Sequence, residues 1–223
     1  MMECVVLAEN AFLRQRTVWA VENQGEQWRC RAFGSASSAR EALEDGALVL
    51  LVDESEGSAQ LLHSLQESPV LCPPWVLGVQ EAEGLTAYLA QRRREVPPLA
   101  RMQAEKLLPL AKGLTRALGI SPGMGAQEFL PLMLALCSVH PPLMEDFKGR
   151  LYPLCAQACG LSAAAVERRL RLCVESCWTK GELRALERFF GHSVDPERGK
   201  PTNREFVFRL QEHLSFAGKR ICR

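Results

Sequence analysis

The spacing of hydrophobic positions changes part-way along the chain. Within residues 1–95, short unbroken apolar runs at 4–8 (CVVLA), 47–52 (ALVLLV) and 75–79 (WVLGV) alternate with helical spacing at 11–21, 36–44, 58–66 and 85–94. Residues 27–33 add a stretch of strand-like alternation. Strands buried on both faces read as continuous apolar runs, and their alternation with helices predicts a doubly wound parallel sheet. The working crevice of such a sheet lies beyond the carboxyl ends of its strands.

Past Pro97 and Pro98 only three-and-four spacing remains. It predicts a helix over 99–118, through Leu107, Ala111, Leu114 and Leu118, closed by Gly119. Ser121-Pro122-Gly123 breaks the chain before a hydrophobic helix at 127–139, which tolerates Pro131 only in its first turns. Thr179-Lys180-Gly181 reads as a turn and 182–190 as a short amphipathic helix stopped by Gly191. Residues 195–201 read as an exposed basic loop, and Thr202 or Asn203 as the cap of a last helix over 204–214. The expected domains are 1–95, a linker and helix start at 96–106, and an all-α domain at 107–223.

Residues 151–178 carry the sharpest local pattern. Leu151, Leu154, Cys155 and Ala158 share one helical face, Gly160 permits the left-handed conformation that ends a helix, and Ser162 suits an N-cap. Val166, Leu170, Cys173, Val174 and Cys177 then form one stripe, with Glu167, Arg168 and Arg171 pointing elsewhere. This is the form of a DNA-reading helix-turn-helix. A guanidinium can bond O6 and N7 of guanine, and a glutamate can accept from the cytosine N4 amine. The same features also suit a plain helix pair with solvated charges.

Composition sharpens the division. The 223 residues, 47% hydrophobic and 24% charged, fit a globular protein of one large or two ordinary domains. A net charge of +1 conceals −6 over residues 1–95, +1 over 96–149 and +6 over 150–223, so only the back half suits a polyanion. No apolar stretch is long enough for a membrane helix, and the start MMECVVLAEN lacks the basic region of a secretory signal. A cytoplasmic protein is expected.

Enzyme chemistry finds little support. His140, His192 and His213 have no acid or cysteine at catalytic spacing, and there is no phosphate-binding glycine loop. Nine cysteines are scattered through apolar segments. Cys155/Cys159 and Cys173/Cys177 could offer four thiolates to zinc, but they fall on apolar stripes, as core residues do. Trp178 fits a core anchor. No catalytic residue, metal or cofactor is expected.

Glu9, Asp53 and Gln80 follow the strand-like runs. This layout resembles the receiver domain of bacterial response regulators, with Asp53 in the place of the phosphoacceptor. A receiver has an acidic pair where this chain has Ala8 and Glu9, a hydroxyl residue where it has Gln80, and a lysine after a fifth strand not found here. The expected fold class is thus a degenerate, truncated receiver-like α/β domain plus an all-α domain containing the helix-turn-helix. Asp53 is expected to be a strand-end polar residue, a vestigial phosphoacceptor at most.

Read together, LYP at 151–153, VER at 166–168, Arg171, Trp178, Gly181, Phe190-Gly191 and KPTNREF at 200–206 resemble the DNA-binding effector domain of the stage-zero sporulation regulators. The resemblance covers about residues 107–214 and implies a six-helix domain. It implies base contacts by Glu167, Arg168 and Arg171, and phosphate-backbone contacts by Ser162, Lys180, Lys200, Thr202 and Asn203. Ala165 departs from the pattern, where the family has an arginine. The expected function is sequence-specific transcriptional regulation without aspartyl phosphorylation. The implied partners are double-stranded DNA, a second copy on DNA and RNA polymerase. The alternative is a pseudo-regulator that acts by pairing with a true response regulator.

Overall fold

The computed structural model describes residues 1–25, 27–68, 70–121, 123–181, 183–191 and 199–221, without the side chains of 183 and 216–221. Pro122, Glu182, His192, Cys222 and residues 195–198 of the predicted basic loop lie outside the described residues. The chain divides into two compact units, Met1–Gln103 and Ala104–Arg223.

The first unit runs β1 (Met2–Leu7), α1 (Ala11–Glu22), β2 (Trp28–Phe33), α2 (Ala36–Glu44), β3 (Val49–Val52), α3 (Glu56–Glu67) and β4 (Trp75–Gly78). A 3-10 segment, Val79–Gly84, then leads into α4 (Leu85–Arg92). All four strands are parallel, in the order β2-β1-β3-β4, which is a receiver-like α/β arrangement. Successive residues of β1 face opposite ways. Val5 and Leu7 pack with Ala39, Leu43, Leu61 and Leu65 of α2 and α3, while Cys4 and Val6 pack with Val21 of α1 and Leu85 of α4. Burial on both faces explains why β1 and β3 are unbroken apolar runs, whereas edge strand β2 (WRCRAF) alternates. Chain direction across the sheet reverses between β1 and β3, so their carboxyl ends open the crevice that holds Glu9 and Asp53.

Helix α5 (Pro98–Ala117) begins at a proline, whose missing N–H is no loss in a first helical turn, and contains Pro109. Its Gln103 is buried in the first unit, donating to the Leu65 carbonyl at 2.6 Å and accepting from the Val70 N–H at 3.1 Å.

The second unit is helical. It continues with α6 (Leu130–Val139), a 3-10 segment (Pro141–Glu145), a π-type turn (Phe147–Leu151), α7 (Tyr152–Cys159), α8 (Ala163–Lys180), α9 (Leu183–Phe190) and α10 (Asn203–Ile221). Helix α6 is apolar all round and buried at every position but Leu132, so it sits at the centre, with α10 packed along it. Trp178 closes the far end of this core. Its ring lies edge-on to Phe190 at 4.9 Å and Phe206 at 6.4 Å, and Phe190 stacks on Phe206 at 5.4 Å. One difference from the sequence reading concerns residues 179–180, which extend α8 rather than turn. Thr179 satisfies its hydroxyl on the Glu175 carbonyl at 2.9 Å, and the helix stops only at Gly181, where a Cβ would run into the Cys177 carbonyl.

Candidate nucleic-acid interface

The corner between α7 and α8 follows from two residues. Gly160 takes a left-handed conformation (φ 65°, ψ 33°) that ends α7, and the Ser162 hydroxyl accepts from the Ala165 N–H at 3.2 Å to start α8. Val166, Leu170, Cys173, Val174 and Cys177 then bury one side of α8. Ala164, Arg168, Arg171 and Leu172 are exposed on the other, at the i, i+4, i+7, i+8 spacing of a single face.

The three arginines of α8 differ in what holds them. Arg169 turns back onto its own unit, pairing with Glu128 at 2.7 Å. Arg171 remains largely exposed and reaches Glu167 only at 3.4 Å. Arg168 is exposed and forms no ion pair among the described residues.

Beside this face lies a groove of about 800 Å³ between the π-type turn, the start of α7, the flank of α8 and the start of α10. Glu167, Arg171, Lys200, Thr202 and Asn203 all line it, joined by Lys148 and Arg204, which sequence reasoning missed. Arg204 left one signal: a cation in the first turn of a helix opposes the helix dipole, so its place needs another reason. Lys148 left none. Ser162 and Lys180 are exposed at opposite ends of α8, about 27 Å apart along the helix, and line no part of the groove.

The groove is balanced in charge. Lys148, Arg171, Lys200 and Arg204 face Glu145, Asp146, Glu167 and Glu175. Lys200 bonds Glu175 at 2.7 Å, and this hydrogen bond, with the lysine's charge, holds the Glu175 carboxyl below the usual range. The Thr202 hydroxyl and N–H both donate to Glu205, at 2.9 and 2.7 Å, and the Glu205 N–H returns a bond to Thr202, forming a capping box at the start of α10. Asn203 is engaged internally, its amide donating to the Tyr152 hydroxyl and the Glu167 carbonyl, each at 3.3 Å. Burial raises the Tyr152 phenol above its ordinary pKa, and the Asn203 bond offsets part of that rise.

Residues 112–214 match the family model for the sporulation initiation factor Spo0A C terminal. The match covers most of the helical unit, which is thus similar to that family. The Spo0A C-terminal domain is the DNA-binding effector part of a regulator, and the matched segment contains α7, α8 and the start of α10, the elements that form the groove and the exposed arginine face. The first unit lies outside the match.

In that first unit, Asp53 sits at the end of β3 with both carboxylate oxygens engaged. One accepts from the Ser55 hydroxyl (2.5 Å), the Ser58 hydroxyl (2.6 Å) and the Ser55 N–H (3.2 Å), and the other from the Glu9 N–H (2.9 Å). Burial pushes this carboxyl up, but the two hydroxyls and two N–H groups together hold it below the usual aspartate range. The Glu9 carboxylate points instead at the Gly57 N–H of α3, at 3.2 Å. No lysine precedes Lys106 in the chain.

The cysteine pairs singled out earlier lie in packing faces. Cys155, Cys173 and Cys177 are buried, and the half-buried Cys159 donates to the Glu128 carbonyl at 3.4 Å. Burial pushes the Cys155 thiol up to about 12, which keeps it protonated. No helix among the described residues is long and apolar enough to cross a membrane.

Proposed function

We propose that this protein is a sequence-specific transcriptional regulator whose α8 enters the major groove and whose front unit is not switched by aspartyl phosphorylation. The observation that carries the reading is the single exposed face of α8 with Arg168 and Arg171 side by side, in a unit of the Spo0A C-terminal family. An α-helix fits a B-form major groove, and its N-terminal half is the part that reaches base edges. Lys200, Lys148 and Arg204 flank that face and can meet phosphates, while Thr202, its donors taken by Glu205, fixes the start of α10 beside them. Ser162 and Lys180 mark the two ends of α8 and would meet phosphates on either side of the bases read. Asn203 acts in this reading by fixing α10 against α8 rather than by touching DNA.

The phosphorylation part of the reading rests on Asp53. Its oxygens are occupied, Glu9 is turned away towards α3, and the unit has no lysine to compensate a phosphoryl group. The deciding experiment is a mobility-shift assay with duplexes enriched from a random-sequence pool, comparing the wild type with Arg168→Ala/Arg171→Ala. Binding should fall by 1–3 kcal/mol per arginine, roughly 5- to 150-fold each, with the circular dichroism spectrum unchanged. Equal binding by the two proteins would overturn the reading.

One observation favours a second reading, regulation through protein contact. Phe12 and Trp19 are 75% and 69% exposed on the same side of α1, with exposed Arg16 between them. If that face binds a response regulator, Phe12→Ala/Trp19→Ala should abolish the association and leave DNA affinity intact.

A further inference from the structure

Leu172 is 56% exposed and stands on the face of α8 that also presents Arg168 and Arg171. The other large apolar residues of that helix, Val166, Leu170, Val174 and Trp178, pack into the fold, which gains little from a leucine here. Resting on the reading of α8 as the base-reading helix, we propose that Leu172 recognises thymine through its C5 methyl group.

The chemistry is selective because thymine alone among the bases presents a methyl group in the major groove, and an apolar side chain is what recognises it. The geometry adds a position. Leu172 follows Arg168 by four residues, about 6 Å along the helix, and base pairs repeat about every 3.4 Å along the duplex. A helix lying in the groove would place Leu172 about two base-pair steps from the base that Arg168 reads. Arg168 and Leu172 would then read a guanine and a thymine at fixed separation.

Replacing single thymines by deoxyuridine in the enriched duplexes removes the methyl group and leaves base pairing intact. With the full-length wild type, one such replacement should weaken binding about fourfold, the effect of losing one buried methyl-sized contact. That position should lie about two base pairs from a guanine to which Arg168→Ala becomes insensitive. Leu172→Ala should bind the thymine duplex about fourfold more weakly than wild type and show no further loss with deoxyuridine. Because Leu172 is exposed, its replacement should leave the melting temperature unchanged, which separates a reading role from a folding one. Indifference of the wild type to every replacement, or equal sensitivity in Leu172→Ala, would overturn the assignment while leaving the DNA reading of α8 in place. Failure of the wild type to enrich any duplex would overturn both.

Discussion

The side-chain amide of Asn203 donates to the backbone carbonyl of Glu167, 3.3 Å away across 36 residues of chain. The same amide reaches the Tyr152 hydroxyl at 3.3 Å, so one side chain joins the first residues of α7 and α10 to the flank of α8. Asn203→Ala removes both bonds and leaves a half-buried carbonyl and hydroxyl to find water. The expected cost is about 1–2 kcal/mol. For a chain of this size that is a fall of roughly 2–8 °C in melting temperature, readable by circular dichroism. An unchanged melting temperature would show that the three helices are fixed by packing alone.

Glu175 neutralises Lys200 across the groove. Glu175→Gln should release the lysine for phosphate, tightening binding to non-cognate duplex. The plot of log affinity against log salt should steepen by up to about one unit, measured by fluorescence anisotropy between 50 and 200 mM salt. A shallower slope would place Lys200 away from the duplex.

Asp53 is expected to behave as a structural carboxylate. Asp53→Asn keeps one acceptor oxygen but loses the charge that two hydroxyls and two N–H groups stabilise, which should cost about 2 kcal/mol in urea unfolding. Its folded pKa is depressed, so its stabilising contribution is present above the unfolded value of 3.8 and is lost as pH falls through the lower folded value. Incubation of the wild type with acetyl phosphate should leave its mass unchanged. A gain of one phosphoryl group, absent in Asp53→Asn, would refute the non-phosphorylated reading.

His140 sets a separate pH window. Burial, with the nearby Arg150 charge, lowers its pKa to about 4 from 6.5, and its Nδ1 finds no partner among the described residues. A depressed histidine is neutral in the fold and protonated in the unfolded chain, so stability is highest above pH 6.5 and declines as pH falls towards about 4. The loss should be on the order of 3 kcal/mol across that window. His140→Gln should flatten the decline, as followed by urea midpoints at successive pH values.

Much of the fold was legible because burial imposes a period on the chain. The apolar runs of β1, β3 and β4 and the extent of α2 follow from it, and Gly160 and Ser162 announce the α7–α8 corner through backbone demands that few residues meet. The spacing starts α6 at 127, but Gln127, Glu128 and Phe129 form turns and the helix begins at Leu130, with Pro131 in its first turn. The end of α8 was placed too early because Thr179 and Lys180 do not themselves break a helix. The groove was only half legible. Arg171, Lys200 and Thr202 belong to motifs, but the ion pairs that hold two of them, the internal use of Asn203 and the arrival of Lys148 depend on residues brought together by folding.

The pairing of Arg171 with Glu167 and of Lys200 with Glu175 has a consequence for how such a protein would search a chromosome. Each of these cations carries its own counterion before any duplex arrives, so a stretch offering phosphates alone must displace a glutamate to gain a contact. Under the proposed reading, random sequence would be held weakly and released quickly. Only a site that also supplied matching bases would repay the exchange, and the carboxylates would sharpen discrimination by weakening every wrong encounter.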